Sequence, residues 1–353
     1  MNKTPWIIQD RLINIALVGC GRIAKNHLQA IEQHKDRLNL TAVCDIDPEA
    51  LKSASEQYSV DAYQSIDELL AYSNADVVVL CTPSGLHPSQ AIKVAQSGRH
   101  VLTEKPMATR WQDGLNMVKA CDDHGVRLFV VKQNRLNATL QLVKRAIDQN
   151  RFGKIYMSSI NVFWTRPQDY YDQGGWRGTW EFDGGAFMNQ ASHYIDLIHW
   201  LLGPVESVQA MTGTLARDID AEDTGVMNIR WRSGAMGSVS VTMLAYPKNY
   251  EGSITILGEK GTVRIGGVAV NEIQHWEFSE THPEDEEIKA ANYQTTSVYG
   301  FGHPLYYANV IDTLQGKDKA LVDGREGLTS LELLIAAYRS ARDHKTVHLP
   351  LEL

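Results

Sequence analysis

The sequence predicts a two-domain protein in which an N-terminal α/β domain with a parallel sheet precedes an α+β domain with a mostly antiparallel sheet. The length of 353 residues suits two domains of roughly 100–200 residues each. Short apolar runs alternate with helical patterns from Leu12 to about Val131, and longer β-rich runs follow Gly153. We therefore expect domains at residues 1–132 and 133–353, joined by a linker within Lys132–Gly153.

The strands of the first domain are predicted from five apolar runs, which are Ile13–Val18, Leu40–Cys44, Val77–Cys81, His100–Leu102 and Leu128–Val131. Amphipathic stretches separate these runs, and helical spacing is clearest in Ile23–Lys35 and Ala91–Gln96. Strands that alternate with helices in this way indicate βαβ units, which build a parallel sheet.

The second domain is predicted from six β-rich runs, which are Lys154–Trp164, Val205–Leu215, Thr224–Trp231, Gly237–Leu244, Ser253–Leu257 and Thr262–Ile265. Few helices separate them, and this favours an antiparallel sheet. Helices are expected at Phe187–Leu202, His303–Gln315 and Arg325–His344. The acidic run Pro283–Glu287 is expected to be a solvated loop.

The composition is that of a folded globular protein. Hydrophobic residues make up 43% and charged residues 22%, which supplies enough apolar surface for a core. A net charge of −8 opposes nucleic-acid binding. The longest uncharged runs fall short of the ~20 apolar residues that span a bilayer, and no secretory signal is visible. We expect a cytoplasmic protein with no nucleic-acid or membrane partner.

The four cysteines form no CxxC pair, and HExxH, GxSxG and GxxxxGKS/T patterns do not occur in the sequence. Reduced, buried thiols are the simplest interpretation of such cysteines. The missing patterns argue against a zinc site, an α/β-hydrolase and a P-loop nucleotidase. No metal site is therefore expected.

A glycine-rich turn, Gly19-Cys20-Gly21-Arg22-Ile23-Ala24, joins the first strand to the first helix. In this GxGxxA pattern Gly19 makes the tight bend, Gly21 lets backbone approach a pyrophosphate, and small Ala24 allows close packing. We expect Gly19, Gly21, Arg22 and Ile23 to contact a dinucleotide.

Asp45 ends the next strand, where a carboxylate accepts hydrogen bonds from the adenosine ribose. Ile46 and Asp47 follow it instead of a cation, so NAD is favoured over NADP. A purely structural alternative for Asp45 is the capping of a turn at Asp47-Pro48.

Two further motifs follow predicted parallel strands, and ligands bind at the carboxyl ends of such strands. The first motif contains Thr82, Pro83 and His87, and the second is Glu104-Lys105-Pro106. We expect all five of the residues Thr82, Pro83, His87, Glu104 and Lys105 at the cofactor site. For Lys105 a solvated loop position is the alternative.

In the second domain, arginines are interleaved with aromatic residues in Trp164–Tyr171 and around Trp176. Arg166 and Arg177 would bind phosphate or carboxylate oxygens, and Tyr170 would stack on a base or sugar. An aromatic subunit interface is the competing interpretation.

The following Gly184-Gly185 pair would let a ligand approach the start of the next helix. Asn189 and His193 lie four residues apart on that helix and would share one face. A satisfied core histidine is the alternative for His193.

These motifs together resemble the glucose-fructose oxidoreductase / inositol dehydrogenase (Gfo/Idh/MocA) family over essentially the whole chain. The resemblance implies a Rossmann domain that binds a nicotinamide cofactor and an open-faced, mostly antiparallel sheet domain for substrate binding and oligomer contacts. It also implies that Lys105 and His193 are the catalytic pair. Many members carry an acid at the position of Asn189, so a scheme that needs a carboxylate there does not fit this chain.

Three runs, Phe163–Pro167, Trp176–Gln190 and Tyr299–Pro304, are similar to the bacterial UDP-N-acetylglucosaminuronate 3-dehydrogenases. That resemblance implies a UDP-sugar substrate, oxidation at C3 on the route to lipopolysaccharide O-antigen sugars, and a homotetramer. It also places His303 near the substrate, beside the five candidates Arg166, Tyr170, Arg177, Asn189 and His193.

Lys105 is the first candidate for the base that takes the hydroxyl proton, since burial and a positively charged nicotinamide ring would both lower the pKa of a lysine. His193 is the alternative base or a relay. Two other functions stay open. One is a dehydrogenase of a free polyol such as inositol, and the other is a catalytically silent NAD-binding regulator.

Overall fold

The computed structural model describes residues 7–267, 269–295 and 301–351. These residues divide into two compact units. The first holds the residues up to Lys132 together with His303–Leu331, and the second holds Gln133–Gly302 together with the residues from Glu332 onward. Among the described residues, no helix combines the length and apolarity needed to cross a bilayer.

The first unit contains a sheet of six described parallel strands in the order β3-β2-β1-β4-β5-β6. Its strands are β1 (Ile13–Val18), β2 (Leu38–Cys44), β3 (Asp61–Tyr63), β4 (Val77–Leu80), β5 (His100–Thr103) and β6 (Leu128–Val130). The helices between them are α1 (Ala24–Gln33), α2 (Pro48–Tyr58), α3 (Ile66–Tyr72), α4 (His87–Gln96) and α5 (Trp111–Asp123). This strand order is that of a dinucleotide-binding Rossmann fold, as the sequence predicted.

The core of the first unit lies in the central strands. Every residue of β4 is fully buried, because a parallel sheet is covered on both faces and its strands are therefore continuous apolar runs. The short strand β3 was not predicted from the sequence, since Asp61-Ala62-Tyr63 lacks such a run.

The second unit contains a mixed sheet in the order β13-β12-β11-β7-β10-β9-β8-β14. Its strands are β7 (Ile155–Phe163), β8 (Val205–Gly213), β9 (Thr224–Trp231), β10 (Met236–Thr242), β11 (Glu251–Gly258), β12 (Gly261–Gly266), β13 (Glu272–Phe278) and β14 (Val347–His348). The β7–β10 pair is parallel and the other pairs are antiparallel. Residues alternate between buried and exposed along β9, so one face of the sheet packs on the core and the other is open.

The α-helices described within residues 133–301 of the second unit are α6 (Ala138–Asp148), α7 (Gln168–Asp172), α8 (Ser192–Leu202) and α9 (Ile288–Ala291). Two further helices follow in the chain, α10 (Gly302–Leu314) and α11 (Gly324–Asp343). The first boundary between the two units falls at Lys132/Gln133, within the range Lys132–Gly153 predicted to hold the linker. Most of that range folds as a 3₁₀ turn and as α6, whose apolar face is buried. The predicted loop Pro283–Glu287 is a 3₁₀ helix with a capping box at His282, and Arg145 and Arg151 pair with its acids.

Residues 303–331 pack with the first unit, although the sequence pattern assigned them to the second domain. Tyr306 donates a hydrogen bond of 2.7 Å to the carbonyl of Val130, and Asp323 forms a β-bridge with Phe129. The bridge extends the edge of the first sheet at β6, and the Tyr306 hydroxyl ties α10 to the same strand. Hydrophobic spacing alone showed two helices here, and it does not specify the sheet on which they pack.

Candidate functional site

The two glycines of the turn between β1 and α1 have different roles. Gly19 has φ +94°, and a Cβ on it would lie 2.8 Å from the carbonyl carbon and oxygen of Cys81. Only a glycine fits at position 19, because the backbone of Cys81 at the end of β4 occupies the space that a side chain would need. Around the Cβ position of Gly21, no described atom lies within 4 Å. Gly21, Arg22 and Ile23 are exposed or half-buried, which leaves an open cradle at the start of α1.

Asp45 is held beside this turn at the end of β2. Its Oδ2 accepts a hydrogen bond of 2.6 Å from the N–H of Cys20, and its Oδ1 accepts one of 2.8 Å from the N–H of Asp47. Asp47, in turn, caps α2 by accepting from Glu49 and Ala50. The turn-capping role that was the structural alternative for Asp45 therefore accounts for Oδ1. Its Oδ2 connects the end of β2 to the glycine-rich turn.

These residues fit the dinucleotide that the turn predicts. Gly21 offers the space that a pyrophosphate needs at a helix N-terminus, and α1 has no acidic residue in its first turn to repel it. The half-buried carboxylate of Asp45 lies where ribose hydroxyls are bound in this fold. Exposed Ile46 and Asp47 follow it without a cation.

His87 connects the two strand-end motifs. Its Nδ1 lies 3.0 Å from the carbonyl of Pro106, and its Nε2 lies 2.9 Å from the carbonyl of Thr82. Burial lowers the pKa of His87, so we expect a neutral ring that donates to one carbonyl at a time. The side chain of His87 thus holds Thr82 and the Lys105–Pro106 bond, which is cis, in fixed relation.

Glu104 lies inside the protein, and its carboxylate contacts protein donors. Its Oε1 is 3.0 Å from His27 Nε2, and its Oε2 accepts a hydrogen bond of 3.0 Å from the N–H of Lys105. His27 Nδ1 lies 2.8 Å from the hydroxyl of Tyr307. Burial lowers the pKa of His27, so a neutral ring accepts from Tyr307 and donates to Glu104.

This network positions Lys105. Burial alone would raise the pKa of Glu104, but the hydrogen bond from His27 and the nearby ring of His303 outweigh it and hold the pKa well below its usual range. The ionised carboxylate therefore restrains the backbone of half-buried Lys105. Glu104 was predicted as a cofactor contact. Its side chain instead contacts His27, His303 and the backbone of Lys105, and the role as a cofactor contact stays a prediction.

His303 belongs to the same buried cluster of the first unit. Its ring packs edge-on against His27, with centroids 5.2 Å apart, and its Nε2 is 3.7 Å from Glu104 Oε1. His27, Glu104 and His303 have the side chains of metal ligands within 4.8 Å of one another. Two of these atoms already make a direct hydrogen bond, so we interpret the cluster as a polar network. The predicted substrate contact of His303 stays a prediction.

In the second unit, Arg166 and Arg177 approach one aromatic ring. Their guanidinium carbons lie 5.5 Å and 4.6 Å from the ring centroid of Tyr170. Arg166 donates to the carbonyl of Thr165 and to the amide oxygen of Asn249, and Arg177 donates to the carbonyls of Tyr170 and Gln173. Neither arginine pairs with a carboxylate in the described part of the chain. Two positive charges thus lie together without a protein anion, as a site for an anionic ligand requires.

Asn189 and His193 lie on two different helical segments. Asn189 is in a π-helix, Ala186–Gln190, and His193 is in α8, whereas the sequence predicted one continuous helix. A π-helix follows i→i+5 spacing, so the expected shared face does not follow from a separation of four residues. Asn189 donates to Asp183.

His193 is buried, and its Nε2 lies 3.5 Å from the amide nitrogen of Gln133. Gln133 was not predicted. Its position two residues after an apolar run, similar to that of Lys105, was the available signal. Tyr299 and Gly300 of the third family-like run lie outside the described residues.

The Gly184-Gly185 pair has an unexpected explanation. A Cβ on Gly184 would lie 2.5 Å from Cβ of Met188, and one on Gly185 would lie 1.7 Å from Oε2 of Glu222. Side chains of the protein itself occupy the space beside both glycines. The expectation that this space admits a ligand is therefore wrong. Glu222 was missed because its partners are distant in sequence.

Comparisons with known proteins agree with this geometry. The WlbA dehydrogenase from Bordetella pertussis, solved with NADH and UDP-GlcNAcA, is 67% identical and has a TM-score of 0.96 over 98% of this chain and 100% of that chain. The WlbA enzyme from Chromobacterium violaceum, solved with the same two ligands, is 66% identical and has a TM-score of 0.94 over 98% and 99% of the two chains. The inositol 2-dehydrogenase of Rhizobium meliloti is 26% identical over 96% of this chain and 99% of that protein.

Two sequence profiles match this chain. The profile described as "Oxidoreductase family, NAD-binding Rossmann fold" matches residues 13–132. The profile described as "Oxidoreductase family, C-terminal alpha/beta domain" matches residues 144–349. Together with the strand order and the glycine-rich turn, these matches show that the chain belongs to the Gfo/Idh/MocA family of NAD-binding oxidoreductases.

Proposed function

We propose that this protein is an NAD-dependent dehydrogenase that oxidises the C3 hydroxyl of UDP-N-acetylglucosaminuronate (UDP-GlcNAcA) to a ketone. The observation that carries the proposal is the pair of arginines at Tyr170, whose hydrogen bonds end on neutral oxygens. A sugar nucleotide with a diphosphate and a uronate brings the negative charges that such a pair lacks. The two WlbA dehydrogenases were solved with that ligand.

Within this proposal, Arg166 and Arg177 bind the anionic groups of the substrate, and Tyr170 stacks on its base or sugar. Nε of Arg177 is buried and has no partner in the described residues, so it is a donor available for a ligand oxygen. A free polyol such as inositol carries no charge that this cluster could neutralise. The cluster therefore favours a nucleotide sugar over the substrate of the inositol dehydrogenases.

NAD, when bound at Gly21 and Asp45, supplies the acceptor for the hydride that leaves the sugar carbon. Lys105 takes the proton of the hydroxyl group as the carbonyl forms. Its backbone is restrained by Glu104 and its neighbour Pro106 by His87, so the amine is held at the carboxyl end of β5. His193 donates a hydrogen bond to the developing carbonyl oxygen or is the alternative base, and Asn189 orients a hydroxyl.

The proposal is tested with UDP-GlcNAcA, free inositols and NAD⁺ by following absorbance of the reduced cofactor. Lys105→Met should lower kcat by about 10²–10⁴-fold, because a positioned general base contributes that much, while NAD affinity measured by calorimetry stays unchanged. Lys119→Met, at an exposed lysine in α5, is the control. Near-normal turnover of Lys105→Met would reject the role of Lys105 as the base.

Turnover of inositols without turnover of UDP-GlcNAcA would reject UDP-GlcNAcA as the substrate. Cofactor binding without any turnover would favour a silent regulator.

We also propose that the protein assembles as a homotetramer through the open face of the second sheet. Leu257, Met157 and Met236 pair in register across β11, β7 and β10 and are all exposed, which makes an apolar row that an interface would cover. Met236→Glu should lower the molar mass measured by light scattering. Tyr72→Glu, at an exposed residue of the first unit, should not. An unchanged mass for Met236→Glu would reject this interface.

The proposed reaction yields a 3-keto sugar, whose carbonyl group is the substrate for an amination. This chemistry fits the route to the diacetamido-uronic acids of lipopolysaccharide O-antigens that the sequence resemblance implies, and we place the reaction in the cytoplasm. Incubation of the product with an aminotransferase and an amino donor should yield the 3-amino sugar by mass spectrometry.

A further inference from the structure

The π-helix that carries Asn189 is capped by two residues that are distant in sequence. Helices begin with backbone N–H groups that need acceptors, and the preceding residue, Gly185, has no side chain to offer one. The N–H of Ala186 donates to the carbonyl of Glu222 at 2.9 Å, and the N–H of Phe187 donates to Glu222 Oε1 at 2.8 Å. The N–H of Met188 donates to the hydroxyl of Tyr338 at 3.0 Å.

The two capping residues also hold each other. The hydroxyl of Tyr338 in α11 donates a hydrogen bond of 2.8 Å to Glu222 Oε1. Tyr338 therefore accepts from Met188 and donates to Glu222, which uses both capacities of a phenol. Removal of either side chain leaves a buried N–H group without its acceptor. That loss is costly because such a group has no water to replace the lost bond.

Glu222 is only 3% exposed, and its Oε2 has no partner among the described residues. Burial raises the pKa of Glu222 to about 7, with the nearby carboxylate of Asp183 adding to the effect and the bonds from Phe187 and Tyr338 opposing it. Burial raises the pKa of Tyr338 well above its usual value, so its hydroxyl stays a donor. Asp183 and Tyr338 are the titratable groups that act on Glu222 here.

We propose that Glu222 and Tyr338 form a positioning pair that fixes the π-helix and, through it, Asn189 at the substrate. This proposal rests on the proposed function. The i→i+5 pattern is rare and is frequently found at functional sites, and here external acceptors hold its first turn. Burial disfavours the ionised form of Glu222, so the folded segment holds the protonated carboxyl more firmly than the carboxylate. The segment should therefore be held most firmly below neutral pH and less firmly as Glu222 loses its proton.

The first test measures the segment itself and needs no substrate. At pH 8, hydrogen–deuterium exchange of a peptide that spans residues 186–190 should be slower in Glu222→Gln, which mimics the protonated carboxyl, and faster in Tyr338→Phe, than in the unchanged protein. The gap for Glu222→Gln should close towards pH 5.5, where the native carboxyl is protonated. The proposal would be overturned if both variants exchanged at the rate of the unchanged protein at both pH values.

The matched control is Ser340→Ala. Ser340 lies on the same helix as Tyr338 and accepts a buried hydrogen bond of 2.9 Å from the N–H of Ala210, so its loss is similar in kind but remote from the π-helix segment. Its exchange at residues 186–190 should match that of the unchanged protein. Faster exchange there in Ser340→Ala would show a general loosening instead of a specific cap.

The second test links the cap to the reaction. At pH 8, Glu222→Gln should lower KM for UDP-GlcNAcA by about tenfold, which corresponds to about 1.4 kcal/mol, with KM for NAD unchanged. Between pH 8 and 5.5, KM for UDP-GlcNAcA should fall in the unchanged protein towards the nearly constant value of Glu222→Gln. Parallel pH profiles, or an equal change of both KM values, would overturn the positioning role. No turnover by the unchanged protein would instead contradict the proposed function, and the exchange experiment would still decide the cap.

Discussion

At the residue scale, Tyr170 illustrates how the partners of a charged group indicate its use. Arg166 and Arg177 both approach its ring and donate only to neutral oxygens within the described chain. Arg145, in contrast, pairs with Glu284 and Glu287. The positive charge of Arg145 is therefore already neutralised, whereas the charges at Tyr170 are available to a ligand.

Replacement of Arg166 by Ala should raise KM for UDP-GlcNAcA by about 10–100-fold, since a hydrogen bond to a charged group contributes about 1.5–3 kcal/mol. KM for NAD should stay within twofold or so of its original value, because the cluster belongs to the second unit. Steady-state kinetics with each substrate varied in turn measures both constants. Arg145→Ala is the control for loss of an arginine. An equal increase of both KM values for Arg166→Ala would indicate a folding defect instead.

At the scale of elements, the turn from β1 to α1 separates a structural glycine from a functional one. A Cβ on Gly19 would collide with the backbone of Cys81, whereas no described atom lies near that of Gly21. Gly19→Ala should therefore destabilise the protein by about 1–3 kcal/mol, as expected for a strained left-handed residue. Gly21→Ala should leave the melting temperature unchanged and lower NAD affinity by at least about tenfold.

Calorimetry with NAD and thermal unfolding of the two variants measure these effects side by side. Each glycine variant serves as the control for the other, because both add one methyl group to the same turn. Normal NAD affinity of Gly21→Ala would mean that the open space does not hold the pyrophosphate. A lower melting temperature for Gly21→Ala would mean that the space is filled by the protein in solution.

At the scale of the whole molecule, Glu222 should make stability depend on pH. Its pKa is about 7 in the folded protein, raised from the usual 4.5 by burial. The stabilisation from binding this proton is complete below pH 4.5 and is lost as the pH rises through 7. Glu222→Gln does not titrate at this position. From pH 5 to pH 8, its free energy of unfolding should therefore rise relative to that of the unchanged protein, by about 3 kcal/mol at most.

Urea unfolding of both proteins at pH 5, 6, 7 and 8 checks this expectation, since all other titrating groups are common to the two. The difference between the curves therefore isolates Glu222. A difference that is constant over this pH range would mean that the carboxyl titrates normally and that water reaches it. A difference of opposite sign would mean that the folded protein prefers the ionised form.

Much of the fold was predictable because its signals are local. The apolar run Ile13–Val18 became β1 as predicted, and the run Thr224–Trp231 became β9. Strand β13 was not predicted, since most of its residues are partly or fully exposed and its apolar content is low. The division of the helix at Asn189 was not predicted either, because a π-helix and an α-helix share the same apolar composition.

The sequence by itself determined the succession of strands and helices, the glycine-rich turn, and the placement of Asp45 and Lys105 at strand ends, because each depends on neighbours within a few positions. Only the tertiary structure decided which groups contact them. His27 reaches Glu104 and Tyr307 reaches His27, Glu222 and Tyr338 cap the segment of Asn189, and residues 303–331 pack on the first unit. Hydrogen-bond partners and packing surfaces are chosen in space among residues far apart in the chain, and local periodicity carries no record of that choice.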